Sequence, residues 1–165
     1  MSAASFPARP HESGQPRTFA IVASEYNAEF VTGLVENAKR ELNAISNALT
    51  VVVVEVPGAF EIPLIVEELA ARGGVDAFIA LGVIIEGETQ HAALIAESIT
   101  HSLQRISLAH RVPVIHEVLL VKNEEQARAR CLGEKINRGI EAARAAARMA
   151  QVMTELRATR WDDDF

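Results

Sequence analysis

Four short apolar runs, each followed by a stretch with helical spacing, constrain this chain more than any other feature. The runs are Phe19-Ala20-Ile21-Val22-Ala23, residues 49–56, residues 77–85 and residues 113–121. All four have the length of strands, and the second is rich in β-branched residues. After the first run, Phe30, Val31, Leu34, Val35, Ala38 and Leu42 fall on one face of a helix. Ile62, Leu64, Ile65 and Leu69 do so after the second, and Ile95, Ile99, Leu103 and Ile106 after the third. The fourth leads into a short helix to about Leu132, with Asn123 and Gln126 spaced as a capping box. A last helix, roughly residues 136–157, is dense in alanine, which permits close approach of a neighbouring helix or subunit. Strands separated by a dozen or more helical residues pair in parallel. The expected fold is therefore a flavodoxin-like three-layer α/β domain, a four-stranded parallel sheet flanked by helices. In such sheets ligands sit at the carboxyl ends of the strands.

The punctuation fits this division. Asn27 is placed to cap the first helix, Pro57-Gly58 ends the second strand, and Gly73-Gly74 stops the helix that follows. Gly87 frees the chain to turn after the third strand, Thr89 is placed to cap the next helix, and Gly133 stops the short one. Residues 1–17 lack both periodicities and read as an irregular tail, residues 18–157 as one α/β domain, and residues 158–165 as an acidic tail.

The chain has 165 residues, enough to bury one sizeable core. Hydrophobic residues make up 49% and charged residues 23%, an ordinary globular mixture, and no apolar run approaches the ~20 residues of a spanning helix. A net charge of −6 argues against a general nucleic-acid surface while leaving room for a local basic pocket. With Cys131 as the only cysteine, no intrachain disulfide can form, and the default location is cytoplasmic. Neither a membrane nor a nucleic acid is an expected partner.

The carboxyl-end rule selects residues 24–27, 57–61, 86–91 and the region after Val121. In residues 82–91 a buried strand, a glycine turn and a helix start meet. The unpaired N–H groups of a first helical turn and the positive end of the helix dipole there favour an anion such as phosphate. His91, which titrates near neutral pH, falls in that same turn. Taken alone, glycine and threonine before a helix are ordinary turn and cap chemistry. Tyr26 has a ring able to stack on a flat heterocycle, or equally to cover the edge of the core. Glu61 is able to accept from sugar hydroxyls, or simply to favour the start of a helix. Arg130 carries the planar fork that grips phosphate.

Tyr26-Asn27, Val56-Pro57-Gly58-Ala59-Phe60-Glu61-Ile62-Pro63, residues 82–85 with Gly87-Glu88-Thr89 and His91, residues 123–127 with Arg130, and Asn137-Arg138-Gly139 with Glu141-Ala142-Ala143 stand in an order and spacing that resembles the 6,7-dimethyl-8-ribityllumazine synthases of riboflavin biosynthesis. The resemblance covers about residues 19–152. It implies a transferase that condenses 5-amino-6-(D-ribitylamino)uracil with 3,4-dihydroxy-2-butanone 4-phosphate and releases phosphate and water. No metal or organic cofactor is implied. On this resemblance Tyr26 stacks on the pyrimidine, Ala59, Phe60 and Glu61 bind its ribityl side, and Val83, Ile84 and Ile85 line the ring pocket. Glu88 through its main chain, Thr89 and Arg130 hold the butanone phosphate, and His91 transfers protons. The resemblance also implies a homo-oligomer, a pentamer or multiples of pentamers up to a shell of twelve, with the site shared between subunits. His116 on the fourth strand and Arg130 would then come from across the interface.

Several residues depart from the family pattern. Glu25 and Glu86 stand where basic residues are common, Ala92-Ala93-Leu94 replace aromatic and acidic residues, and Arg138 replaces a common lysine. His116-Glu117 occupy the place of an aromatic and a small residue, though an imidazole is still able to stack on a heterocycle. These departures keep open an alternative: a non-catalytic paralogue that binds a lumazine or flavin-like ligand, or acts as an assembly subunit. The archaeal-type riboflavin synthases are a more distant alternative, against which the Gly87-Glu88-Thr89 and His91 arrangement speaks.

Overall fold

The computed structural model describes residues 8–10, 14–134 and 136–159. Its strands are β1 (Arg17–Ser24), β2 (Leu49–Val56), β3 (Ala77–Ile85) and β4 (Val114–Val121). The helices are α1 (Ala28–Ile45), α2 (Ile62–Arg72), α3 (His91–His110), α4 (Glu124–Cys131) and α5 (Arg138–Ala158), with one 3₁₀ turn at Ala59–Glu61. The sheet is parallel throughout, in the order β2-β1-β3-β4. The order reverses between β1 and β3, the switch point beside which ligands sit in open α/β sheets.

Because successive side chains on a strand point to opposite faces, the sheet builds two cores. On one face Phe19, Ile21, Ile79 and Leu81 pack with Phe30, Leu34 and Leu42 of α1, Ala127 and Cys131 of α4, and the alanines of α5. On the other, Ala20, Val22, Phe78 and Ala80 pack with Ile62 and Val66 of α2 and Ile99, Leu103 and Ile106 of α3. Each large side chain buried this way contributes roughly 1.5–3 kcal/mol. The central strands β1 and β3 are buried almost throughout, as their unbroken apolar runs require.

The alanine-dense face of α5 is used inside the chain. Ala142, Ala143, Ala146, Ala147 and Ala150 are buried against α1 and the sheet. At Gly139 even a methyl group would stand 2.4 Å from the carbonyl oxygen of Leu34, so the two helices touch backbone to backbone. Asn137 opens α5 by accepting from the N–H groups of Gly139 and Ile140, and Asn123 opens α4 by accepting from Gln126 N at 3.0 Å.

Other local expectations need correction. Asn27 precedes α1, yet its side chain makes no cap hydrogen bond. Thr89 does not cap α3; Gln90 stands at that position, again without a side-chain bond. Gly87 is not among the positive-φ residues, so the turn after β3 does not call on glycine's freedom, whereas Gly73 and Gly74, at φ 74° and 81°, do end α2 that way. Leu64 points outward and is 70% exposed, because the buried stripe of α2 runs through Ile62 and Val66.

Most of the two expected tails lies outside the described residues. Arg9 is an exception. Its guanidinium grips Glu41 of α1 through Nε at 2.9 Å and Nη2 at 3.0 Å, while Arg144 of α5 reaches the same carboxylate at 2.7 Å. The hydrogen bonds from Arg9 and then Arg144 hold the Glu41 carboxyl below its usual range, although its burial acts in the opposite sense.

Candidate functional site

The sheet register makes the crevice. β1 pairs with β3 only as far as Ala23 opposite Leu81, whereas β4 follows β3 to Val121 opposite Ile85. Beyond Leu81, then, the β1 side of β3 has no strand beside it. The main chain turns alternately to the two sides along a strand, and Glu86 N donates to Val121 O on the β4 side. Val83 and Ile85 therefore turn their N–H and C=O groups toward β1, into the crevice, while the main chain of Ile84 belongs to the β4 ladder.

One of these groups already has a partner. Asn27 donates from Nδ2 to the carbonyl oxygen of Val83 at 2.7 Å. Its backbone is left-handed, φ 57° and ψ 44°, a conformation asparagine tolerates better than most residues. The bond ties the end of β1 to β3, and the preceding residue, Tyr26, is left 72% exposed at the crevice mouth. Tyr26 N in turn donates to Pro57 O at 3.3 Å, and Glu25 N to Val56 O at 2.8 Å, so the end of β2 is fastened to the same turn.

Gly58 leaves room beside the Glu61 carboxylate. A methyl there would stand 2.7 Å from Glu61 Oε2 and 3.5 Å from the Tyr26 ring. Its absence lets the carboxylate of the 3₁₀ turn and the aromatic ring close on one spot. Tyr26, Asn27, Gly58, Ala59, Phe60, Glu61, Val83, Ile84, Ile85 and Ile95 together line a cleft of about 320 Å³. Every residue expected to meet a heterocycle and its side chain is present except His116. Asn27, Gly58 and Ile95 are additions to the expected set. The position of Ile95, four residues after His91 on the sheet-facing side of α3, was the available signal for it.

Glu88 and Thr89 lie on the exposed segment between β3 and α3, and His91 is the first residue of α3. The opening N–H groups of α3 have no partners within the helix, and the Gln90 side chain does not cap them. Arg130 sits on α4, where its Nη1 lies 3.5 Å from Gln126 O. It does not line the cleft. Neither does His116, which faces α3 from the outer strand β4 and borders a separate groove of about 280 Å³ with Thr100, Leu103, Gln104, Ser107 and Val114. Burial pushes the His116 pKa down. On the opposite face of β4, burial raises the Glu117 carboxyl to about 7, with Arg138 opposing the shift and Glu141 reinforcing it.

The sequence profile of the family described as 6,7-dimethyl-8-ribityllumazine synthase matches residues 16–154. The chain belongs to this family. It is 39% identical over 153 residues to the 6,7-dimethyl-8-ribityllumazine synthase of Stenotrophomonas maltophilia, covering 88% of this chain and 98% of that one. With the synthase of Burkholderia multivorans it shares 40% over 149 residues, covering 90% and 84%. With that of Thermococcus kodakarensis it shares 46% over 105 residues, covering 64% and 67%. Membership of the lumazine synthase family agrees with the parallel α/β sheet and with a cleft at its topological switch point. No helix among the described residues is long and apolar enough to cross a membrane.

Proposed function

We propose that the chain is a transferase of riboflavin biosynthesis that condenses 5-amino-6-(D-ribitylamino)uracil with 3,4-dihydroxy-2-butanone 4-phosphate to 6,7-dimethyl-8-ribityllumazine, releasing phosphate and water. The observation that carries this is the cleft at the β1/β3 crevice, with an aromatic wall, a carboxylate and an open strand edge beside a helix start. In this reading the pyrimidine lies between the Tyr26 ring and β3, and the free main-chain groups of Val83 and Ile85 pair with its polar edge. Ile84 and Ile95 supply apolar surface. Glu61, with Ala59 and Phe60, takes the hydroxyls of the ribityl chain.

The phosphate belongs at the start of α3, held by the main chain of Glu88, by Thr89 and by the first N–H groups of the helix. Arg130 adds a charge-assisted fork. His91, as the first residue of α3, stands beside this anion site as the proton-transfer group. Proton transfer by His91 accompanies formation of the imine between the pyrimidine amine and the ketone, with loss of water. The anion cradle assists departure of phosphate. Most of the acceleration comes from holding two reactive partners in contact.

We read the protein as a cytoplasmic homo-oligomer, a pentamer or a multiple of pentamers, in which Arg130 and His116 of one subunit complete the cleft of the next. The absence of both residues from the cleft lining of their own chain supports this reading. Purified protein mixed with the two substrates should produce lumazine absorbance well above the uncatalysed rate, and no acceleration would refute the assignment. Light scattering should give at least five chains. Inactive Tyr26→Ala and Arg130→Ala chains unfolded and reassembled together should regain part of the activity, whereas verified mixed assemblies without recovery would refute the shared site.

A further inference from the structure

We propose that Thr100 is a positioning residue for the His116 imidazole, fixing it as the neutral tautomer with hydrogen on Nε2 and its ring held against α3. The inference rests on the reading above that His116 borders the substrate heterocycle. Its geometric basis is a chain of three hydrogen bonds that runs from the backbone of β4 through the imidazole to α3.

The chain begins at the backbone of β4. Val118 N lies 3.4 Å from His116 Nδ1, and a main-chain N–H only donates, so Nδ1 is the nitrogen without hydrogen. In a neutral imidazole the hydrogen is then on Nε2. That nitrogen lies 2.9 Å from Thr100 Oγ1, which must accept from it. The hydroxyl can accept because its own hydrogen is directed elsewhere, to the carbonyl oxygen of Ala96 at 2.8 Å, one turn earlier on α3. The other tautomer would set the Nδ1 hydrogen against the Val118 N–H and leave Thr100 facing an unprotonated nitrogen. Protonation to the imidazolium would create the same clash at Nδ1.

The surroundings reinforce this arrangement. The groove around the ring is lined from α3 by Thr100, Leu103, Gln104 and Ser107, and from β4 by Val114, none of which titrates. Glu97 and His101, 3.7 Å apart on the exposed side of α3, lie outside that lining, and Glu117 is on the opposite face of β4. Thr100 thus supplies the only partner that Nε2 has among the described residues. Two β-branched or hydrogen-bonded fixtures, one on each element, hold the ring plane in a set orientation, as a stacking surface requires.

The test uses the full-length assembled protein. Solid-state ¹⁵N spectra of histidine-labelled protein, with the signal of His116 identified by difference from His116→Phe, should show Nδ1 unprotonated and Nε2 protonated. Thr100→Val keeps the shape and removes the hydroxyl. It should mix the two tautomers and raise KM for the pyrimidine substrate by about 2- to 10-fold, the size of one neutral hydrogen bond, with kcat unchanged within about twofold. Thr100→Ser should restore both spectrum and KM. A wild-type His116 protonated on Nδ1, or a Thr100→Val spectrum identical to wild type, would overturn the positioning role. If the spectrum changed as expected while neither Thr100→Val nor His116→Ala altered the pyrimidine KM, the placement of His116 beside the heterocycle would be wrong instead.

Discussion

The side of the cleft proposed for the heterocycle is built from three segments of one chain that fasten each other, while the residues proposed for the phosphate lie on an exposed turn and on α4. On the first side Asn27 is bonded to Val83, Tyr26 to Pro57, and Gly58 leaves the space that Glu61 and Tyr26 share. On the second side Glu88, Thr89 and His91 are exposed, and Arg130 stands outside the cleft lining. The contrast teaches that a flat ring needs a surface formed before it arrives, whereas a phosphate needs only donors and field at a helix end. Perturbing the second side should therefore change chemistry and phosphate capture while leaving the first intact.

The largest expected effect concerns the buried carboxyl between β4 and the helices behind it. Glu117 faces α4 and α5, and its carboxyl is raised by burial from 4.5 to about 7. In that window the folded protein holds a proton that the unfolded chain releases, so the contribution of Glu117 to stability is full below pH 4.5 and is lost as pH rises through 7. The shift corresponds to at most about 3 kcal/mol. Glu117→Gln should remove this slope, so that urea midpoints at pH 5 and pH 8 converge. Midpoints that stay as far apart as in wild type would assign the slope to other groups.

Next in size, His91→Ala should lower kcat about 10- to 100-fold, toward the low end for a general acid–base group, because the two substrates react unaided once adjacent. Pyrimidine binding, measured by titration, should persist. Wild-type turnover across pH 6 to 8 in a normally assembled variant would remove the proton-transfer role. Arg130→Ala should raise KM for the butanone phosphate roughly 10- to 150-fold, as loss of one charge-assisted contact predicts, with the pyrimidine KM unchanged. A similar rise in both constants would erase the distinction between the two sides.

The smallest effect sharpens the first side. Asn27→Ala loses the bond to Val83 and must also hold a left-handed backbone, so the pyrimidine KM should rise about 5- to 10-fold. Asn27→Gly loses the bond without the steric penalty and should fall between wild type and alanine in stability by urea denaturation. Equal stability of the two variants would show that the backbone conformation at this position relaxes.

The sequence was most legible where the cause is local. Strands and helices followed from apolar spacing because the buried stripe of an element is written in the element itself, as with Phe30, Leu34 and Leu42 of α1. The Asn123 cap was readable because its partner, Gln126, is three residues away. Asn27 was misread for the opposite reason: its side chain serves Val83, 56 residues on, and no local pattern distinguishes a cap from a tie. Leu64 failed because an apolar residue beside the stripe looks like part of it. The cleft at the β1/β3 crevice was legible as a set of strand ends, while the separate groove of His116 was not. Parity along β4 gives the face of a residue, but its position relative to the cleft depends on the sheet order and on where β1 stops.

Cys131, the only thiol in the chain, is fully buried at the end of α4, and burial raises its pKa to about 11. Thiolate is the species that reacts with maleimides and iodoacetamides, and here it is both scarce and screened at neutral pH. The native protein is accordingly close to silent toward such reagents without any substitution. A cysteine introduced at an exposed cleft position such as Phe60 would carry a fluorophore alone, giving an optical report of ligand entry from an otherwise unaltered chain.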